Sequence, residues 1–384
     1  MRPLSEVEMK MSGNVINSDR NTSIQVLKGF GAILIFLFHG TVPFFVEHMS
    51  ITMLALNLFF VLSGFMMAYS YSDRELEVSF LGNIKFAIKK VSALYGLYVI
   101  TAIPFIFLLV MKMIQNPKDI GKYLLIIVLT LTLNQCWAVK DTMVLGINSP
   151  AWFLSTLMFL YLAFPSIWKK IKRAKSNKSL YIAAAVLVCA KFISSFLIVS
   201  FHVSKAVIWW VNDISPISRL VDFTVALIAG RIFFTYIENN EGPVFGKVKA
   251  SVLEIVFIAL AVVAGTTVNT DVNNVVLKAL FADFTIIYLF INIPLAILFY
   301  NCEGIITRLF NHQPFIYFGE VSSYFYLIHY FFAGLVIMVI EMSVGTLPWM
   351  VKAIFLVIMF FISFAFSALA NRVYKKKANR RSKN

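Results

Sequence analysis

The sequence predicts an all-α polytopic membrane protein with about ten transmembrane helices and both termini cytoplasmic, and three observations carry that reading. Of 384 residues, 60% are hydrophobic and 14% charged, with a mean hydropathy of +0.82. An ordinary soluble domain carries about 25% charged residues. The apolar runs are long and continuous, unlike the alternating segments of about ten residues that build an outer-membrane barrel. The net charge of +15 sits in short loops and a tail between these runs. That is the positive-inside pattern, so the charge reports topology and excludes a nucleic-acid reading.

Eleven candidate spans follow in order: 24–46, 51–71, 91–113, 121–138, 150–168, 179–201, 216–237, 250–268, 278–300, 318–341 and 349–371. The basic stretches at 74–90, Lys169 to Lys178 and the C-terminal KKKANRRSKN should share the cytoplasmic side. An even number of crossings must then separate Lys90 from Lys169, so one of three candidates fails to span. The shortest, 121–138, is expected to lie in the interface or to re-enter. Ten spans remain, and the loops TVNTDVN and SVGTLPW, which lack Lys and Arg, fall outside. Lys112, Lys118 and Lys122 then also fall outside, against the charge rule. Residues 1–22 form a polar cytoplasmic segment, 23–372 the transmembrane domain and 373–384 a basic cytoplasmic tail. The first apolar run has no small-residue cleavage site and is read as an uncleaved anchor. Cys136, Cys189 and Cys302 have no metal-like spacing and read as packing residues.

The first span carries Lys28 near its start and His39 deep inside an apolar run. On an α-helix these lie within roughly 20° of one face and about 16 Å apart in rise. A titratable group in hydrocarbon is costly unless paired or facing a cavity, so an intramembrane His marks a candidate site. A ring bonded to a neighbouring helix and a snorkelling Lys are the structural alternative. The second span, LNLFFVLSGFMMAYSY, holds Asn57, Ser63 and Gly64, which suit close helix packing. Lys89 and Lys90 precede Tyr95 at the start of the third span, where they can anchor the helix or hold phosphates.

These stretches resemble integral-membrane acyltransferase family three, whose members add acetyl or related groups to surface glycans. Lys28 and His39 have the spacing of its basic residue, ten residues, His pattern, and Phe59 to Phe65 reads FFVLSGF, its second-helix signature. Lys90-Val91-Ser92-Ala93-Leu94-Tyr95 resembles its Arg-Ile-x-Pro-x-Tyr element, with Lys for Arg and Ala for Pro. SPAWFLSTLMFLYLAFP resembles a later helix through Trp152, Leu154, Tyr161 and Pro165, with Leu157 where that pattern has an acid. Arg219, Leu220, Asp222, Phe223 and Gly230 match an Arg-Leu-x-acid-Phe...Gly element; Arg219 and Asp222 can also pair with each other at i, i+3. FGEVSSYFYLIHYFF is similar to the last signature, with Ser323 in place of its Tyr. Ser322, Tyr326 and His329 share one side of that helix, and Glu320 lies opposite His329.

The resemblance implies an acyltransferase of the O-acetyltransferase type. It takes cytoplasmic acyl-CoA, with acetyl-CoA expected, and modifies a hydroxyl of an extracytoplasmic carbohydrate. The acceptor is a surface or secreted polysaccharide, such as exopolysaccharide or lipopolysaccharide, or its lipid-linked precursor. A bacterial inner membrane is the implied location. His39 and His329 are its catalytic candidates. Lys28, Lys89, Lys90 and Tyr95 are candidates for donor binding, with the stripe from Lys28 to His39 as the donor path. Asn57, Ser63, Trp152, Arg219, Asp222, Ser322 and Tyr326 are candidates for acceptor binding. No metal is expected, because no His/acid pair has ligand spacing inside a helix. Asp283 reads as structural, paired with Lys278 or Lys191. A polysaccharide exporter or flippase without acyl transfer is the competing class.

Overall fold

The computed structural model describes residues 6–40, 46, 48–240, 243–266, 274–282, 284–345 and 348–381, and no strand occurs among them. Asp283 and the TVNTDVN loop lie outside the described residues. Among the described residues, ten helices are long and apolar enough to cross a membrane. They are built on α1 (Glu6–His39), α2 (Met49–Ser70), α3 (Phe80–Gln115), α4 (Trp152–Lys172), α5 (Asn177–Ser200), α6 (Pro216–Glu238), α7 (Lys247–Thr266), α8 (Phe284–Asn301), α9 (Gln313–His329), whose span runs on to Met342, and α10 (Trp349–Arg381). The candidate at 121–138 drops out. Its helix, Ile120–Leu131, has 12 residues and a length of about 18 Å, short of the roughly 30 Å core.

Helix direction tests that count independently. On α2 and α6, Asn57 meets Asp222, while Gly64 and Phe65 meet Phe223 and Phe233 further along. The two helices therefore run parallel. Only an even separation in crossings allows this, so the chain does not cross at 121–138. The short helix instead folds back along α3, where Tyr95 and Tyr98 donate hydrogen bonds to the carbonyls of Leu131 and Thr130, both at 2.7 Å. From there an irregular stretch leads to Trp152 and the start of α4.

The buried core gathers around α2, which packs between α1, α6, α7 and α8. Close approaches are made by small residues, as expected where helices associate without a hydrophobic drive. A Cβ on Gly64 would stand 2.3 Å from the Phe223 carbonyl oxygen, which explains that glycine in the FFVLSGF segment. A Cβ on Gly319 would stand 1.8 Å from the Gln25 carbonyl oxygen. α1 and α9 thus press together backbone to backbone, and both then run the same way towards His39 and His329.

Candidate active site

The α1–α9 seam brings His39 and His329 together across 290 residues of chain, with His329 Nε2 3.2 Å from His39 Nδ1. The surrounding carbonyls assign the protons. His329 Nδ1 lies 2.8 Å from the Tyr326 carbonyl oxygen and 3.3 Å from that of Phe325. Oxygens of this kind only accept, so Nδ1 carries the hydrogen and Nε2 of the neutral ring offers its lone pair. His39 Nδ1 therefore donates, both to His329 Nε2 and to the Ile35 carbonyl at 3.0 Å. The remaining nitrogen, His39 Nε2, has a lone pair and no hydrogen-bond partner among the described residues. His329 is 1% exposed and His39 is half-buried, so only His39 is reachable. The pair can accept a proton at one defined atom and spread the resulting charge over two acceptors.

The walls of this site come from several elements. Phe36 and Phe325 pack against His329, and Tyr330 meets His39 edge-on with ring centroids 5.2 Å apart. Tyr330 in turn stacks on Phe105 of α3. It opens a π-helical stretch, Tyr330–Val336, a distortion often found at functional sites. The stretch before α4 holds the end of α9 in place. Tyr326 Oη donates to the Pro150 carbonyl at 2.7 Å, and Asn148 Nδ2 donates to the Leu327 carbonyl at 3.1 Å. Asn148 sits at φ 43°, a left-handed conformation that Asn tolerates better than most residues. Asn148, Pro150 and Tyr330 were not singled out from sequence, although the turn-forming cluster GINSP in an otherwise apolar region was a usable signal.

A second polar region lies apart from the histidines. Asp222 accepts from Arg219 Nη1 at 3.0 Å, from Asn57 Nδ2 at 3.1 Å and from Lys191 of α5. Arg219 Nε and Nη2 donate to the Asp213 carbonyl at 2.8 and 2.5 Å, and its guanidinium lies over the Phe60 ring. Asn292 of α8 donates to Asn57 Oδ1 at 2.9 Å. Arg219, Asp222 and Asn57 are each 0% exposed. Lys191 thus pairs with Asp222.

The other candidates are spread through the bundle. Lys28 is half-buried with its ammonium 3.4 Å from Gln25 Oε1. Between Lys28 and His39 the stripe is occupied by Ala32, Ile35 and Phe36, all buried in the core. An open donor path along α1 is therefore not present, because packed side chains fill it. Lys90 lies 4.8 Å from the centroid of the Tyr71 ring, and Lys89 faces outward. Tyr95 uses its hydroxyl on Leu131. Trp152 is buried against Phe60 and Phe153. Ser63 Oγ lies 3.3 Å from Tyr161 Oη. Ser322 is fully buried, and its hydroxyl has no hydrogen-bond partner among the described residues. Glu320 points away from the histidines, as its helical position requires, and pairs with Lys375 at 3.1 Å.

A family profile described as an acyltransferase domain matches residues 21–368. The chain is similar to the acyltransferase MdmB of Streptomyces mycarofaciens, 24% identical over 242 residues, which is 59% of this chain and 60% of that protein's length. No solved structure matches. On the extent of the family match, the chain belongs to integral-membrane acyltransferase family three.

Proposed function

We propose that this protein is a membrane O-acetyltransferase that moves an acetyl group from cytoplasmic acetyl-CoA to a hydroxyl of a surface polysaccharide or its lipid-linked precursor. The observation that carries the reading is the 3.2 Å contact between the two histidines, which leaves one basic nitrogen open. Histidine is suited to proton transfer near neutral pH. In this reading His39 Nε2 takes the proton of the acceptor hydroxyl as its oxygen attacks the thioester carbonyl. A C–O bond forms, and the positive charge on His39 is stabilised through Nδ1 by His329 Nε2 and the Ile35 carbonyl. Collapse of the tetrahedral intermediate breaks the C–S bond, and the departing thiolate recovers the proton from His39. No net proton is gained or lost.

His39 lies 17 residues beyond Thr22 on α1, about 25 Å of rise. With the N-terminus cytoplasmic, the base lies in the outer half of the bilayer, the side from which an extracytoplasmic glycan approaches. The donor's phosphates are assigned to Lys90, which pairs with no carboxylate among the described residues. A bacterial inner membrane suits both substrates.

Mass spectrometry of the cell-surface glycan, with and without this protein and with His39→Ala, tests the reading. Loss of an acetyl mass from glycan of normal length and abundance is expected in both cases. Normal acetylation of glycan retained inside the cell would instead make the protein an exporter and end the enzyme reading.

A further inference from the structure

A cavity of about 1210 Å³ opens on the outer surface of the bundle between α3 and α10, with α9 as its floor. Its lining is mostly apolar. The rim residues Ile100, Leu369 and Val373 are 62%, 56% and 60% exposed, on helices whose apolar spans are mostly unburied within the protein. The groove therefore faces hydrocarbon. Along α3 it runs from Lys89 to Pro104, 15 residues or about 22 Å, compared with a core of about 30 Å. Its far end is walled by Pro104, Phe331 and Phe332, and Ile328, adjacent to His329, also lines it.

We propose that this groove holds one anionic phospholipid of the leaflet that faces the chain's basic loops, with its phosphate at Lys89 and its chains along α3 and α10. Charge complementarity selects the occupant. Lys89 stands at the inner end, Lys85 is one turn before it on the same stripe, and Lys376 is one turn beyond Val373 on α10. None of the three pairs with a carboxylate among the described residues. The nearest acid on these helices, Glu320, is committed to Lys375. Water does not fill an apolar groove at this depth, and polar amides there need partners. The lining's polar side chains are Lys89, Ser92, Thr101, Tyr324 and Tyr374; Ser92 donates to the Lys89 carbonyl, and Thr101 donates to the Tyr98 carbonyl and accepts from Asn148. A hydrocarbon chain matches the apolar stretch of the lining formed by Leu97, Ile100, Ile328, Phe331, Phe332 and Phe366. The lipid fills the seam between the two helices that support α9, the helix carrying His329. This inference does not depend on the acyl-transfer reading.

Gly96 gives a clean test, because it lines the groove and a Cβ there meets nothing within 4 Å. Gly96→Leu fills the groove without touching the packed core. The full-length protein is exchanged into nanodiscs of phosphatidylglycerol mixed with phosphatidylcholine, extracted gently and examined by native mass spectrometry. One retained phosphatidylglycerol per chain is expected, with loss of retention in Gly96→Leu. Lys89→Gln is expected to reduce the preference for phosphatidylglycerol by about fivefold, the effect of one cation at a membrane surface. Equal retention by Gly96→Leu, or no preference between the two lipids in the unmodified protein, overturns the proposal. Displacement of the bound lipid by added acetyl-CoA would also overturn it, by assigning the groove to the donor.

Discussion

Two polar regions share the apolar interior of this bundle, and they solve the cost of burial in opposite ways. Around Asp222, two cations and an amide converge on one carboxylate, and Arg219 also bonds the Asp213 carbonyl. Four helices contribute, Asp222, Arg219, Lys191, Asn57 and Asn292 are all buried, and Asp222 and its two cations are each bonded. Around His39 the same accounting ends one atom short. His329 is anchored at both nitrogens, while His39 is anchored at Nδ1 only. An ionisable residue in a membrane marks a candidate site by default, but satisfaction decides what kind. A closed network fixes helices in register, and an open nitrogen can do chemistry.

If that distinction is right, substitutions in the two regions fail in different assays. His39→Ala should lower acyl transfer by about 10²–10⁴-fold, the usual contribution of a general base. The yield of monodisperse protein in mild detergent should not change. Asp222→Ala should do the reverse, because it leaves Lys191 and Arg219 buried without their shared carboxylate. Breaking a buried pair in this way costs about 3–5 kcal/mol, visible as a lower melting temperature and loss of folded protein. A stable, inactive Asp222→Ala would move that region into the active site and dissolve the comparison.

The bundle itself was largely legible in the sequence, because hydropathy and loop charge act locally. Counting crossings between Lys90 and Lys169 required one of three candidates to fail, and length pointed to 121–138. The pairing of Arg219 with Asp222 was legible too, since i, i+3 neighbours on one helix meet whatever surrounds them. Lys191 was assigned as a possible partner for Asp283, and its bond to Asp222 depends on how α5 packs against α6. The His39–His329 contact is likewise tertiary. Each ring was a candidate alone, but their 3.2 Å approach depends on Gly319 admitting the Gln25 carbonyl. The stripe below His39 looked like a path because a helical wheel shows alignment, not whether Ile35 and Phe36 fill the space.

Smaller effects sharpen the roles within the histidine pair. His329→Ala removes the acceptor that stabilises the charged His39, a hydrogen bond to an ion worth about 1.5–3 kcal/mol. The transfer rate should fall by roughly 10–100-fold. His329→Gln, whose side-chain oxygen can accept in place of Nε2, should recover part of that loss. If Gln restores nothing, His329 exchanges protons itself and is not a positioning residue. Gly319→Ala tests the seam from a distance. Its Cβ must push α1 and α9 apart, so overpacking should cost about 1–3 kcal/mol and lower activity together with stability.

The smallest effect is expected at Ser322, and it tests the rule from its weakest side. Ser322 lies two turns before His329 on the same face of α9, yet it is 0% exposed and its hydroxyl has no partner among the described residues. By satisfaction alone it would count with His39 as open. By access it does not, because nothing reaches a hydroxyl sealed inside the bundle. A buried hydroxyl without a bond is a desolvation cost of about 1–3 kcal/mol, so Ser322→Ala should leave the melting temperature unchanged or raise it. Activity should stay within about twofold, less than one ordinary hydrogen bond is worth. A larger loss of rate at unchanged stability would show that substrate reaches this depth, and the boundary of the active site would then move two turns down the α1–α9 seam.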